Sequence, residues 1–194
     1  MGIRVISGKL KGRHIPFNNK KFGNADITPQ KVKGALFSIL GETMTKKSLL
    51  DLYAGSGQIG IEALSRGADP VIMCEPDFMR YDFIRQYVEK IGYSGSALIL
   101  NLTADMALSQ LSRREIKTDF IFIDPPYNKE NEIRAMETYR GIFTLLEKNA
   151  VLKKGGIVII QHFSVFFFKE KVPDYILFDS RKYGSTALSF FKRE

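Results

Sequence analysis

From residue 48 onward, short apolar runs alternate with longer amphipathic segments along the chain. The apolar runs are almost unbroken and lie at residues 49–53, 71–74, 97–102, 120–123 and 157–161. Runs of this kind are typical of strands buried on both faces of a parallel sheet, rather than of strands with one face in water. The pattern therefore predicts five parallel strands at the centre of the fold.

The segments between the runs have the periodicity of helices. Residues 78–91 place apolar side chains at helical spacing, and Gly92 follows as a stop signal. Comparable patterns predict helices up to about residue 66 and over residues 105–113 and 132–148. Helices that alternate with parallel strands cover both faces of the sheet, so the predicted fold class is doubly wound α/β.

The end of the chain departs from this alternation. Residues 175–179 and 186–191 have strand patterns, and the stretch 180–185 between them contains Gly184 and no helical segment. Two such strands form an antiparallel hairpin. A mostly parallel sheet of seven strands that ends in a hairpin resembles the Rossmann-like class I methyltransferase architecture, whereas a dinucleotide-binding domain keeps adding parallel strands.

The first 47 residues form a different part of the chain. They begin as an extended segment rich in glycine and lysine, and Thr28 and Pro29 then open a helix that ends at Gly41. Threonine is a favourable N-cap and proline is favourable at the first helical position, so the pattern predicts Thr28 as the N-cap. We therefore divide the chain into a basic N-terminal arm with its helix, 1–47, and an α/β domain, 48–194.

Charge separates the same two parts. The chain has a formal net charge of +8; residues 1–47 contain ten lysines and arginines against Asp26 and Glu42, and the rest contains nineteen groups of each sign. An excess of positive charge that is confined to one segment is typical of an arm that contacts phosphates, although a solvated basic face would have the same charge. The candidate contacts to the phosphates of such a partner are Arg4, Lys9, Lys11, Arg13, Lys31 and Lys33.

Other features narrow the class of protein by exclusion. Cys74 is the only cysteine, which excludes an internal disulfide. The chain also has only two histidines, His14 and His162, so we expect no metal site. No apolar run reaches the roughly 20 residues needed to cross a bilayer, and the N-terminus lacks the pattern of a signal peptide. We expect a cytoplasmic monomer that does not bind a membrane.

A glycine-rich turn after the first strand indicates a nucleotide-like cofactor. Gly55, Gly57 and Gly60 have the spacing of the dinucleotide fingerprint, and Glu75 lies twenty residues after Gly55, where a carboxylate accepts hydrogen bonds from ribose hydroxyls. These residues alone are compatible with NAD or with S-adenosylmethionine (SAM). Asp51, at the end of the first strand, would hold the cationic methionine end of SAM and repel a pyrophosphate. This carboxylate favours SAM.

The tetrapeptide Asp124-Pro125-Pro126-Tyr127 follows the fourth strand, at the sheet edge where ligands bind in open α/β folds. An exocyclic amine delocalises its lone pair into the ring. Hydrogen bonds from its N–H groups to the Asp124 carboxylate and the Pro125 carbonyl would turn the nitrogen toward tetrahedral geometry and expose that lone pair. The prolines fix φ and donate no hydrogen bond, which leaves the carbonyl for substrate. Tyr127 offers a ring on which a flipped base can stack.

These motifs resemble a known family. Residues 124–127 are similar to the (Asp/Asn/Ser)-Pro-Pro-(Tyr/Phe) motif of amino-group methyltransferases, and residues 50–57 with 61–68 resemble more specifically the RsmD family of bacterial 16S rRNA guanine-N2 methyltransferases. The basic start, 4–13, and the closing hairpin, 181–186, are similar to that family as well. The resemblance implies a class I SAM methyltransferase fold and transfer of a methyl group from SAM to N2 of a guanine in 16S rRNA.

The resemblance also implies the site and the partner. The residues expected to bind SAM are Asp51, Tyr53, Ala54, Gly55, Gly57, Glu75, Ala104, Asp105 and Asp124. Asp105 would bind the adenine amino group, although an aspartate there could equally cap the following helix. The expected partner is 16S rRNA or the assembling small ribosomal subunit. Residues 26–31 depart from the family's Arg-Pro-Thr-Thr-Asp-Arg-type stretch: an arginine is missing and an acid is present. This leaves open the RNA contacts of the loop and the target nucleotide.

Four alternative functions are weaker. A DNA adenine-N6 methyltransferase has the same tetrapeptide but usually needs an added region to read bases, for which the arm leaves little room. A protein-glutamine methyltransferase gives no reason for an arm of net charge +8. A non-catalytic RNA-binding assembly factor would not need an intact tetrapeptide, and an NAD-dependent dehydrogenase fits only the glycines.

Overall fold

The computed structural model describes residues 2–23, 27–41, 43–126, 132–166, 168 and 172–194. The helices in these residues are α1 (Gln30–Leu40), α2 (Gln58–Ser65), α3 (Phe78–Lys90), α4 (Ala104–Arg113) and α5 (Glu132–Asn149). The strands are β1 (Ile3–Arg4), β2 (His14–Ile15), β3 (Leu49–Asp51), β4 (Val71–Cys74), β5 (Ala97–Leu100), β6 (Thr118–Ile123), β7 (Leu152–Phe163), β8 (Tyr175–Tyr183) and β9 (Thr186–Arg193). None of these helices combines the length and the apolar character that a membrane span requires.

The described residues build one sheet of seven strands in the order β5-β4-β3-β6-β7-β9-β8. The strands from β3 to β7 are parallel, and β9 runs antiparallel to both β7 and β8. The predicted α/β fold class, with its final antiparallel hairpin, is confirmed. Because the strand order reverses between β3 and β6, a crevice opens there at the carboxyl edge of the sheet, where open α/β folds bind ligands.

Alternate residues of the central strands face two separate cores. Leu49 and Met73 belong to the core that α1, α2 and α3 cover, whereas Leu50 and Ile72 belong to the core under α4 and α5. Both faces of the parallel strands are therefore buried, which explains why their sequences are continuously apolar. The two helical layers leave the carboxyl edge of the sheet as the open side of the domain.

The N-terminal arm packs into the first of these cores. Strand β1 pairs with β2, with Ile3 opposite Ile15, and both side chains are buried with the residues of α1 and α2. Gly8 has a φ of +81°, and a Cβ at this position would lie 1.9 Å from the carbonyl oxygen of Ser65. Only glycine allows this contact. The division of the chain at residue 47 thus remains a functional prediction, since the packing continues across it.

The start of α1 corrects one prediction. Pro29, with φ −59° and ψ 144°, is the N-cap, and the helix begins at Gln30, so the predicted N-cap Thr28 lies one residue outside. The carboxamide of Gln58, oriented with its oxygen toward the Thr28 amide, accepts from that N–H at 2.8 Å and donates to the Thr28 carbonyl at 3.3 Å. Thr28 is therefore bonded to the first residue of α2 instead of capping its own helix.

Candidate active site

The glycine-rich turn carries the chain from β3 into α2 across the crevice. Gly55 and Gly57 have φ values of +53° and +73°, and Gly57 is the left-handed N-cap of α2. Gly60 lies inside the helix, where a Cβ would come within 2.2 Å of the sulfur of Met73 on β4. The first two glycines therefore shape the turn, and the third allows α2 to pack closely on the sheet.

A cavity of about 470 Å³ opens at this edge of the sheet. Of the residues predicted to bind the cofactor, eight line it: Asp51, Tyr53, Ala54, Gly55, Glu75, Ala104, Asp105 and Asp124. Pro125 and Pro126 line the same cavity, whereas Gly57 does not. The ends of β3, β4 and β6 and the start of α4 thus bring both predicted sites, for cofactor and for substrate, into one space.

Asp51 is a buried acid on the wall of this cavity. Its side chain is 1% exposed, and in the described residues neither carboxyl oxygen has a donor at hydrogen-bonding geometry. Burial raises the pKa of Asp51 to about 7; the amides of Tyr53 and Gly60, which face the carboxyl group, offset only part of this rise, and the charge of Glu75 adds to it. An acid in this state is a strong site for a cationic group, because a cation would compensate its desolvation.

Glu75, directly after β4, is held from three sides. Its Oε2 accepts from the amide of Gly55 at 2.9 Å, and its Oε1 accepts from the amide of Asp77 at 2.9 Å and pairs with Arg80 Nη2 at 3.0 Å. Asn101 donates to the carbonyl of Glu75 at 2.9 Å and so fixes the backbone as well. The carboxylate is thus fixed in position at the cavity wall, and it ties the glycine-rich turn to α3.

Asp105 lies in the first turn of α4, where a negative charge is favourable. The hydroxyl of Thr103 donates to its carboxylate and lowers the pKa of Asp105. Thr103 and not Asp105 is the N-cap of the helix. The capping role that the sequence left open for Asp105 therefore does not apply, and its exposed side chain faces the cavity.

Asp124 follows the last residue of β6 and is half-buried. The amide Nε2 of Gln161 donates to its Oδ2 at 2.6 Å. Next to it, Pro125 is buried and Pro126 is exposed. Tyr127, the last residue of the predicted catalytic tetrapeptide, lies outside the described residues.

Gln161 is not among the predicted site residues, and the sequence pattern includes it only as the last residue of the run 157–161. The pairing of Ile123 with Ile160 places Asp124 and Gln161 side by side, one residue beyond the parallel ladder. The sequence signal is a polar pair, Gln161-His162, that follows the apolar residues 157–160 within β7, and both residues are buried.

The basic side chains of the arm divide into two groups. Five predicted RNA contacts are exposed: Arg4, Lys9, Lys11, Arg13 and Lys31. Lys33 is fully buried, and burial lowers its pKa. Its Nζ donates a hydrogen bond to the Arg4 carbonyl at 2.8 Å and lies 3.4 Å from Glu62 Oε2. The prediction that Lys33 contacts RNA is therefore wrong, because its side chain is buried and pairs with Glu62 inside the protein.

Glu62 is the centre of this buried cluster. Its Oε2 accepts from the amide of Ile6 at 2.8 Å, and its Oε1 accepts from the amide of Ser7 at 3.0 Å and from Arg66 Nε at 2.9 Å. Together with Lys33, these contacts compensate the burial of the carboxylate. The arm is thereby attached to α2, the helix whose first residue lines the cavity.

Comparison with known proteins places the chain among methyltransferases. A model of the family described as Conserved hypothetical protein 95 matches residues 3–192. The chain is 31% identical over 193 residues to YlbH of Bacillus subtilis (strain 168), provisionally named an rRNA methyltransferase, with 98% of this chain and 99% of that protein covered. It is 30% identical over 182 residues to the ribosomal RNA small subunit methyltransferase D of Buchnera aphidicola subsp. Acyrthosiphon pisum, with 90% of each covered.

A solved structure has the same fold. The Escherichia coli protein yhhF, provisionally described as a methyltransferase, superposes with a TM-score of 0.81 at 24% identity, over 100% of this chain and 99% of that one. At this level of identity the likeness shows the class I methyltransferase fold, and it agrees with the strand order given above.

Proposed function

Since this chain belongs to the family described as Conserved hypothetical protein 95, the RsmD family of rRNA methyltransferases, we propose that it transfers a methyl group from SAM to the exocyclic N2 amino group of a guanine in 16S rRNA. The names of its relatives support rRNA as the substrate and methyl transfer as the reaction. The choice of guanine N2 rests on the resemblance of residues 50–57 and 61–68 to the RsmD family, and the motif at Asp124 supports an amino group as the acceptor. The small ribosomal subunit, naked or assembling, is the proposed partner, which puts the reaction in the cytoplasm.

The observation that carries the proposal is the shared cavity. Asp124 and Pro125 line the same space as Asp51 and Glu75, so a substrate amine held by the first pair would be next to a cofactor held by the second. Methyl transfer needs donor and acceptor atoms in direct contact and in line. A cofactor site without Asp124 and Pro125 at its wall would not provide this arrangement.

The residues of the cavity fit SAM. The buried carboxyl group of Asp51, which has no donor at hydrogen-bonding geometry in the described residues, would hold the cationic methionine end. Glu75 would accept hydrogen bonds from the ribose, and Asp105 would accept one from the adenine amino group. Bound SAM supplies a methyl group on a positively charged sulfur, which becomes a neutral thioether when the methyl group leaves.

Asp124 would act on the nucleophile. Its carboxylate accepts a hydrogen bond from one N–H of the guanine amino group, and the Pro125 carbonyl accepts from the other. The nitrogen then approaches tetrahedral geometry, and its lone pair forms the new N–C bond. As the N–C bond forms, the C–S bond of SAM would break with its electron pair on sulfur, so positive charge develops on the amine. The nearby carboxylate stabilises this charge until the extra proton passes to solvent.

The exposed cations of the arm would hold the RNA. Lys9 and Lys11 lie on the turn that Ser65 anchors: the amide of Lys9 donates to the Ser65 carbonyl at 2.8 Å, and the amide of Leu10 donates to its hydroxyl at 2.9 Å. Gln58, at the other end of α2, lines the cavity. The eight residues of this helix place the anchored arm on the order of 10 Å from the cavity. Phosphates bound there would belong to nucleotides close to the target base.

The experiment that tests the proposal offers several substrates separately. The protein is incubated with radiolabelled SAM and 16S rRNA, 23S rRNA, 30S particles or duplex DNA, and the labelled nucleoside is then identified. We expect N2-methylguanosine from 16S rRNA or from 30S particles, and none with the Asp124→Ala variant. Label in N6-methyladenine of DNA would show the alternative amino-group activity, and no label in any substrate would favour a non-catalytic assembly factor.

A further inference from the structure

The contact between Gln161, on β7, and Asp124, directly after β6, joins two neighbouring strands. Strand β7 pairs with β6 on one side and with β9 on the other, where Gln161 lies opposite Leu188. The Gln161 carbonyl also accepts a hydrogen bond from the hydroxyl of Tyr139 on α5 at 3.4 Å. The backbone of Gln161 is thus held by β9 on one side of its strand and by α5, and the residue is 8% exposed.

The chemistry of the contact decides which way the amide faces. A carboxylate can only accept hydrogen bonds, so the nitrogen of the carboxamide and not its oxygen must face Asp124. The distance of 2.6 Å between Nε2 and Oδ2 is short, as is typical of a bond to a charged acceptor. The orientation of the Asp124 carboxylate is therefore coupled to a strand that does not itself contribute a residue to the cavity wall.

We propose that Gln161 is a positioning residue for methyl transfer, which orients the Asp124 carboxylate toward the substrate amine. The inference rests on the proposed function of Asp124. An amide is suited to this role because it donates a hydrogen bond without carrying charge. A lysine or arginine in its place would neutralise the carboxylate, and the positive charge that develops on the amine would lose its partner.

A positioning role has a kinetic signature that a packing role lacks. If Gln161 acts through Asp124, its loss lowers turnover and leaves the affinities for SAM and RNA in place. Once Asp124 is replaced by alanine, the further loss of Gln161 has no effect on the rate, because the group that it orients is gone. Two residues that contribute independently would instead have multiplicative effects.

The test is a double-mutant cycle on the full chain with Gln161→Met, Asp124→Ala and the combined variant. Methionine keeps the length of the side chain and removes the donor. We expect Gln161→Met to lower kcat about tenfold to a hundredfold, the value of one hydrogen bond to a charged group. Affinity for SAM should change by less than about twofold, and the combined variant should be no slower than Asp124→Ala.

Gln86→Met is the matched control, because Gln86 donates to Asp82 at 2.7 Å on the exposed face of α3. It should leave the rate of transfer unchanged. If Gln161→Met unfolds, as judged by its thermal transition, Gln161→Asn replaces it: that amide is one methylene too short for the contact and should lose the same rate. Parental kcat in a folded variant at position 161, or multiplicative losses in the cycle, would overturn the inference. A fully active Asp124→Ala variant would instead overturn the proposed function.

Discussion

The guanidinium of Arg80 lies 3.0 Å from Oε1 of Glu75 and donates a hydrogen bond to the carbonyl of Phe22 at 3.3 Å. One side chain of α3 thus joins the carboxylate at the end of β4 to the N-terminal arm. Phe22 in turn packs against Phe17 and Phe83, with ring centroids 4.9 and 5.2 Å away. The arm therefore supports the wall of the cavity as well as carrying the exposed cations.

Replacement of Arg80 by methionine should weaken SAM binding. Without the guanidinium, Glu75 loses its only ion pair in the described residues and keeps the amides of Gly55 and Asp77. We expect the dissociation constant of SAM, measured by calorimetric titration, to rise about tenfold, the value of one charge-assisted hydrogen bond. Arg85→Met, on the exposed side of the same helix, is the control and should bind SAM like the parent. If Arg80→Met binds SAM with parental affinity, the amides of Gly55 and Asp77 alone are sufficient to hold the Glu75 carboxylate in position.

The buried acid Asp51 predicts that SAM binding depends on pH. Its pKa of about 7 means that the carboxyl group is largely protonated at pH 6 and largely ionised at pH 7.5. Because the ionised form would bind the cationic methionine end, affinity for SAM should rise roughly eightfold across this interval, in proportion to the ionised fraction. Asp51→Asn should bind weakly with a flat pH profile. A parental profile that is equally flat would show that Asp51 does not contact the cationic end.

The raised pKa of Asp51 also makes the stability of the ligand-free protein depend on pH. The folded pKa lies above the ordinary value of 3.8, so the folded state binds the Asp51 proton more tightly than the unfolded state does. The contribution of Asp51 to the free energy of unfolding is therefore fully present below pH 3.8 and is lost as pH rises to about 7. Urea unfolding should therefore show that, as pH rises from 3.8 to about 7, the free energy of unfolding of Asp51→Asn increases relative to that of the parent.

The arm's exposed cations should control the salt dependence of RNA binding. Each phosphate contact that is removed lowers the slope of log affinity against log salt concentration by about one unit. Replacing Lys9, Lys11 and Arg13 with alanine should therefore weaken binding of 16S rRNA and flatten this slope, whereas SAM affinity stays the same. A slope that does not change would identify the arm as a solvated basic face.

Lys33 belongs to the same arm, but its replacement should lower the stability of the protein and leave RNA binding unchanged. Lys33→Met removes one partner of the buried Glu62 but leaves Arg66 Nε at 2.9 Å. The free energy of unfolding should fall by about 3 kcal/mol, the lower end of the cost of breaking a buried ion pair, because one cation remains. The salt slope of RNA binding should match that of the parent. A loss of slope without a loss of stability would restore Lys33 as an RNA contact.

The sequence predicted those features that depend on local patterns. The apolar runs identified the strands, and the turn at Gly55 and the tetrapeptide at Asp124 identified residues that the fold brings to one cavity. The sequence did not reveal contacts between side chains that are distant along the chain. In the sequence, Lys33 has the same charge as the exposed lysines near it. Its burial became evident only from the structure, which places it beside Glu62, 29 residues further along the chain. Gln161 becomes significant only when the strand register places it beside Asp124.

Asp124 should act in the transition state more than in binding, because its hydrogen bond strengthens as the amine becomes tetrahedral and gains positive charge. Asp124→Ala should lose methyl transfer by about two orders of magnitude or more, the scale for removal of one preorganised electrostatic partner, while SAM and RNA still bind.

Asp124→Asn distinguishes two roles for the same carboxylate. The amide keeps one carbonyl oxygen that accepts from the substrate N–H, but it cannot take up a proton. If the oxygen only orients the amine and stabilises charge, the asparagine variant should retain measurable turnover, between that of Asp124→Ala and that of the parent. Single-turnover rates with 16S rRNA measure this directly, since they separate chemistry from product release. If asparagine is as inactive as alanine, the reaction requires the negative charge or the proton-accepting capacity of Asp124 in addition to its oxygen atom, and if alanine methylates at the parental rate, the catalytic site lies elsewhere in the chain.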